Sequence, residues 1–224
     1  MQVTPSPTAG AKCLGKNGKT IRSIDLSTDC PKRQAGNPCK YCYVEASRSS
    51  GYCAKLVYTR AEYKGEILRM TRKMINRLNA CGGLRLFSFG DYISWMDPDI
   101  ERICNDAEKK GLLLKAITKQ TEFVHKWHDR MNVIHVSVDN VGCGVPWDEA
   151  QNLRKMYPNV RIRAAVMRWE DLDALRFVDI ITLNHAMNGY RLFSAAEKKA
   201  ISETYPMKVC CLSGSCETCE IKCM

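Results

Sequence analysis

No apolar run in this 224-residue chain is long enough to cross a membrane. Its longer ones, such as Leu112–Leu114, stop far short of the roughly 20 residues a spanning helix requires. The amino terminus, MQVTPSPTAGAK, is polar and proline-rich and lacks the hydrophobic segment of a signal peptide. These absences predict a cytoplasmic protein with no membrane partner. Repeats and low-complexity linkers are missing too, so one main domain is expected at this length. Hydrophobic residues make up 45% and charged residues 26%, which is enough apolar material for a sizeable core.

Thiols and positive charge are what the chain has in surplus. It carries 13 cysteines and a formal net charge of +10. A secreted disulfide scaffold is short and loop-rich, and this chain is neither. In a reducing compartment, clustered thiols read as metal ligands. Cys30, Cys39 and Cys42 cluster early, and Cys210, Cys211, Cys216, Cys219 and Cys223 cluster at the end. Cys13, Cys53, Cys81, Cys104 and Cys143 are scattered and read as small buried hydrophobes. The basic balance favours an anionic partner such as nucleic acid, a phosphorylated metabolite or an acidic redox protein. The segment 60–80 reads as a basic helix with Ile67, Met74, Ile75 and Leu78 as its apolar stripe, which a solvated face explains.

Strand-like and helix-like segments alternate from residue 20 onward. Strands are expected at 20–27, 84–91, 112–118, 133–139, 160–166 and 178–184. Asp97-Pro98 reads as an N-cap and first-turn proline for a helix carrying Ile100, Ile103, Cys104 and Ala107 and closed by Gly111. A second helix should set Phe123, Trp127 and Met131 on one side. A third should run from about Pro146 to Tyr157, with Pro158 stopping it. Ser194 and Glu197 form a capping box for the last helix, which Pro206 ends. Six strands separated by helices imply a parallel sheet with right-handed crossovers.

Side-chain parity chooses between architectures. Ile134, Val136 and Val138 share one face of the fourth strand; His135, Ser137 and Asp139 share the other. In the fifth, Val160, Ile162, Ala164 and Val166 oppose Arg161 and Arg163, and in the sixth Thr182 and Asn184 stand together. A doubly wound sheet buries both faces and should be apolar on both. The expected fold is therefore α/β, an incomplete (β/α)6 TIM-like barrel whose polar inside holds a ligand. The expected organisation is an N-terminal extension over 1–19, the partial barrel over 20–206 and a Cys-rich metal-binding C-terminal tail over 207–224.

A three-cysteine loop directly after the first strand of such a chain resembles the radical S-adenosylmethionine (SAM) enzymes. The loop reads DCPKRQAGNPCKYCYVEA, and its second interval, CKYC, matches that family. Eight residues separate Cys30 from Cys39 where the family usually has three, an interval similar to that of a phage-associated subgroup of unknown function. FGDYISWMDPDIE, LLLKAITKQTEFVHKW, VIHVSVDNVG and DIITLNHAMNG resemble that subgroup's later segments in the same order, so the likeness covers about residues 20 to 190.

The resemblance implies a [4Fe-4S] cluster held by Cys30, Cys39 and Cys42, with its fourth iron chelated by the SAM amine and carboxylate. It implies reductive cleavage of SAM to methionine and a 5′-deoxyadenosyl radical, with electrons from a donor such as flavodoxin or ferredoxin. By strand position, Ser88, Gly90 and Asp91 would face the SAM amine, although Asp91 stands where the family often has a longer glutamate. Tyr41 would pack beside the adenine. Ser137 and Asp139 would bind ribose hydroxyls, Lys119 would meet the SAM carboxylate, and Arg163 and Asn184 would line the pocket. His185 follows the sixth strand and could touch substrate. His125 and His128, three apart on a helix, could in principle clamp a metal, but solvent-facing histidines on a polar stripe are the preferred reading.

Cys211, Cys216, Cys219 and Cys223 at the end can close a second centre. It would be an auxiliary [4Fe-4S] cluster, as radical SAM relatives often carry, or structural zinc, since four thiolates suit both metals. Cys210 is a spare or alternate ligand. The substrate is expected to be anionic or polymeric, nucleic acid or peptide among the options. Two other readings stand beside the radical SAM enzyme. One is a non-catalytic zinc protein that binds nucleic acid, which fits poorly with a six-strand α/β body. The other is a thiol-redox enzyme using Cys39-x-x-Cys42, a motif that normally lacks a third thiol.

Overall fold

The computed structural model describes residues 21–24, 26, 83–87, 90–138, 144–166, 178–183, 194–205 and 209–210. The expected helix at 60–80 lies outside them.

Among the described residues, seven parallel strands form one sheet. They are β1 (Ile21–Ile24), β2 (Gly83–Leu86), β3 (Leu113–Thr118), β4 (Val133–Val138), β5 (Val160–Val166), β6 (Ile180–Leu183) and β7 (Val209–Cys210). Their order across the sheet is their order along the chain, and every neighbouring pair is parallel. A doubly wound sheet reverses direction at a switch point; this order contains no reversal. The seventh strand was not expected. Two residues pairing Ile181 with Val209 and Thr182 with Cys210 are too few to leave a periodic pattern. The sheet therefore runs past residue 206.

Four α-helices are described: α1 (Asp97–Lys109), α2 (Thr121–Trp127), α3 (Trp147–Met156) and α4 (Ala195–Thr204). α1 ends in a Schellman arrangement: Gly111 donates to the Glu108 carbonyl at 3.0 Å and Leu112 to the Ala107 carbonyl at 2.9 Å. Gly111 takes φ +60°, a conformation that favours glycine. The expected capping box is present at α4, with Ser194 and Glu197 each accepting the other's backbone N–H.

Three expectations for the elements need correction. β2 stops at Leu86 rather than running to Asp91, because Phe87 turns to φ +62° and breaks the extended chain. Asp97 does not cap α1 but is its first residue, after a 3-10 turn at Ser94–Met96. Its carboxylate is taken by the Tyr92 hydroxyl (2.8 Å), the Trp127 indole (3.1 Å) and Lys126 Nζ (2.5 Å). Met131 lies beyond α2, which ends at Trp127 and tightens into a 3-10 turn at His128–Arg130, although Met131 is buried as expected.

The core lies on one face of the sheet. Leu84, Leu86, Leu114, Ala116, Ile134, Val136, Val160, Ile162, Ala164 and Ile181 share a face by register. They form one buried cluster with Ile100, Ile103 and Ala107 of α1, Phe123 and Trp127 of α2, Ala150 and Leu153 of α3 and Ile201 of α4. All four helices thus cover the apolar face. Each Ile or Leu buried there contributes about 1.5–3 kcal/mol.

Residues entering the strands pin the register at their amino-terminal ends. Asn132, just before β4, accepts the Leu114 N–H at 2.6 Å through its side chain. Asp179, just before β6, accepts the Ile162 N–H at 2.8 Å and pairs with Arg154 of α3 at 2.8 Å. Asn159, before β5, donates to the carbonyls of His128 and Met131, both at 2.7 Å. Among the described residues, no helix is long and apolar enough to cross a membrane.

Candidate functional site

The face of the sheet opposite the helices carries most of the polar strand residues, Arg22 and Thr118 lying on the other by register. Register places Arg85, Lys115, His135, Ser137, Arg161 and Arg163 together on it. Ser137 of β4 stands directly beside Arg163 of β5, so the structure brings two sequence-predicted pocket residues together. Among the described strand positions this face has no acidic residue, and its charge is uniformly positive.

Two of these groups are deeply buried. His135 is 2% exposed and Lys115 4%. Val133 and Ile180 are buried on this same face but stand apart from the main core cluster. Among the described residues, the His135 Nε2 has no hydrogen-bond partner. Burial holds the imidazole well below its ordinary pKa, and the positive charges of Lys115, Arg163, Arg161 and Arg85 push it further in the same direction. His135 is therefore neutral at physiological pH.

At the carboxy-terminal ends of β2 and β3, Asp91 organises the connecting loops. Its Oδ1 accepts from the Tyr92 N–H at 2.7 Å and the Thr118 hydroxyl at 2.5 Å, and its Oδ2 accepts from the Lys119 N–H at 2.8 Å. The Gln120 side chain is a further partner, and the Gln120 N–H donates to the Thr118 hydroxyl oxygen at 2.9 Å. Burial raises the carboxyl above its ordinary value, and these hydrogen bonds pull the other way. A carboxylate accepts at about four positions, and here the chain itself engages them.

Gly90, immediately before Asp91, takes φ +73°. Phe87 holds φ +62°, an uncommon conformation for an aromatic residue, and is seated by an edge-to-face contact with Phe123 at 5.1 Å. Backbone strain of this kind clusters at functional sites. The β2–β3 end of the sheet is where it occurs here.

The remaining expected site residues divide cleanly. Gly90, Asp91, Lys119, Ser137 and Arg163 are described. Tyr41, Ser88, Asp139 and Asn184 lie outside the described residues. So do His185 and all seven expected metal ligands, Cys30, Cys39, Cys42, Cys211, Cys216, Cys219 and Cys223. His125 and His128 converge on Tyr157. His125 Nδ1 lies 2.8 Å from its hydroxyl, and the His128 ring stacks on it at 4.0 Å. No group of three metal-ligating side chains forms among the described residues. Cys104 is a free, buried thiol, and burial pushes its pKa up to about 11, which suits the bland reading of a scattered cysteine.

Sequence reasoning missed Arg85, Lys115 and His135 as site candidates. The signal was present for Lys115, a lone cation between Leu114 and Ala116 in an otherwise apolar strand. No family model matches the chain, and no curated protein is similar to it. Among solved structures it is similar to a thiamine phosphate pyrophosphorylase from Pyrococcus furiosus, at 10% identity and a TM-score of 0.43. That likeness covers 62% of this chain and spans 66% of the other protein's length.

Proposed function

We propose that this chain is a radical SAM enzyme built on an incomplete TIM-like barrel, with its Cys-rich tail as a second metal segment. The observation that carries the reading is the combination of strand order and sidedness. Seven parallel strands in chain order, with all described helices on one face, leave the polar face without a described helix and able to line a site. Every strand-to-helix loop then emerges at the same end. That end is where barrels of this type place their chemistry. In the sequence, the Cys30, Cys39 and Cys42 loop follows β1.

The donor set fits the cofactor. Cys30, Cys39 and Cys42 would hold a [4Fe-4S] cluster through their thiolates, cysteine being the usual ligand of such clusters. Bound there, the cluster would supply the single electron for reductive cleavage of SAM. The chain's own residues position and shield. Ser137 offers a hydroxyl to a ribose, and Arg163 beside it lines the pocket. Asp91 ties the loop after β2 to the end of β3, so its part is to hold Gly90 and Lys119 in place. Tyr41, Ser88, Asp139 and Asn184 complete the proposed SAM contacts. Cys211, Cys216, Cys219 and Cys223 hold the second cluster or zinc. Flavodoxin or ferredoxin is the proposed class of electron donor, and the substrate is anionic.

Anaerobic purification followed by dithionite and SAM tests the reading. A brown protein that releases 5′-deoxyadenosine, with release lost in Cys39→Ala, is the expected result. A colourless protein containing zinc and no iron would overturn it in favour of a non-catalytic metal protein.

A further inference from the structure

We infer that the polar face of the sheet contains an anion site, formed around His135 by Arg85, Lys115, Arg161 and Arg163, that receives the terminal phosphate of a phosphomonoester. The site adjoins the proposed SAM pocket, with which it shares Arg163, and is independent of the thiols.

Placement comes first. β4 lies between β3 and β5, so His135 sits in the middle of the cluster. Across the β4–β5 ladder its partner is Arg161, and Arg163 is one same-face step further along β5, beside Ser137. Across the β3–β4 ladder its partner is Ile117, and Lys115 is one same-face step back along β3. Arg85 of β2 is the register partner of Lys115. Four cations from three strands thus surround one imidazole. Arg161 is anchored through Nη1 to the carbonyls of Pro158 (2.7 Å) and Val160 (3.0 Å), which fixes the charge at the lower edge of the cluster.

The imidazole itself points to a ligand. Its Nε2 is buried and has no hydrogen-bond partner among the described residues. Leaving a buried polar atom unsatisfied costs about 1–3 kcal/mol, and folded proteins seldom tolerate it without a use. A neutral histidine can donate one N–H from Nε2 without adding charge. A phosphate dianion accepts that hydrogen bond, and its remaining oxygens suit the planar forks of arginine and the point charge of lysine.

Depth decides which phosphate. His135 and Lys115 are almost fully enclosed, Arg85 and Arg163 are half-buried and Arg161 is exposed, so the cluster runs from the surface to a closed end that suits the end of a small ligand. A nucleic-acid backbone needs an open groove in which both neighbouring nucleotides can leave the site, so a terminal monoester is favoured over a phosphodiester.

The test is titration of the full chain, at constant ionic strength set with chloride. The probes are inorganic phosphate, AMP, adenosine and a short oligonucleotide without terminal phosphates. The readout is the ¹⁵N imidazole signal of His135, assigned by its loss in His135→Asn. Phosphate and AMP should shift it saturably, and adenosine should not. Lys115→Met should weaken AMP binding about 10–100-fold, the loss expected for a hydrogen bond to a charged group. Arg85→Gln, at a half-buried position, serves as the second variant if Lys115→Met fails to fold. A His135 signal indifferent to phosphate and AMP would overturn the site, leaving an internal water as the partner of Nε2. An equal response to the oligonucleotide would overturn the monoester assignment, as would unchanged AMP affinity in a folded variant. The readout uses neither SAM cleavage nor iron, so this proposal and the radical SAM reading stand or fall separately.

Discussion

The carboxylate of Asp91, in the loop after β2, accepts the hydroxyl of Thr118, the last residue of β3, at 2.5 Å. Residues 27 apart in sequence are thereby joined at the carboxy-terminal ends of adjacent strands. Asp91→Ala would leave that hydroxyl and the Tyr92 and Lys119 N–H groups without their acceptor. Each such group costs about 1–3 kcal/mol, so a large drop in the urea midpoint is expected. Asp91→Asn keeps one acceptor oxygen and should lose less. If both variants match the wild type in stability, Asp91 does not tie this end of the sheet together.

Acid should destabilise the protein through His135. Its folded pKa lies well below the ordinary value of 6.5, so below that value the unfolded chain binds a proton that the folded chain resists. Stability from this group is therefore complete above pH 6.5 and is lost as pH falls from there towards the folded pKa. His135→Asn removes this linkage. The stability difference between wild type and variant should shift against the wild type from about pH 8 to about pH 5. Parallel stability curves over that range would count against a buried neutral imidazole.

Gly83 should not tolerate a methyl group. A Cβ built there would meet the Leu113 carbonyl oxygen at 2.6 Å and the Leu113 Cβ at 3.1 Å. The two residues are register partners, so Gly83→Ala must push β2 and β3 apart where they begin to pair. A loss of about 1–3 kcal/mol is expected, as for overpacking elsewhere. Hydrogen exchange should show the Leu113–Lys115 amides opening more readily in this variant than in the wild type.

The capping box of α4 makes a smaller and separable contribution. Ser194→Ala removes the acceptor for the Glu197 N–H and should cost about 1 kcal/mol. Glu197→Gln keeps the reciprocal geometry and should cost less. Chemical denaturation of the two variants checks the order.

Much of the fold was readable because its periods are strong. β5 was expected at 160–166 and occupies Val160–Val166, where Arg161 and Arg163 alternate with Val160, Ile162 and Ala164. Ser194 and Glu197 capped α4 as expected because that motif needs only local hydrogen bonds. The end of β2 was misread. FSFG has strand-like composition, and nothing local announces that Phe87 will turn left-handed. Asp97 was misread for a different reason. Asp-Pro is a good local cap, but Tyr92, Lys126 and Trp127 compete for the same carboxylate, two of them from another helix.

For the site, the chain alone settled which residue types alternate along each strand, and so that one face would be polar. That follows from a side-chain period of two, which no partner can alter. Tertiary structure decided which of those polar groups meet. Register set Ser137 beside Arg163 and brought Lys115 and the arginines around His135. It also decided that His135 would be buried with an unsatisfied nitrogen, because depth depends on every strand and segment around it at once. Spacing in sequence carries no information about that enclosure.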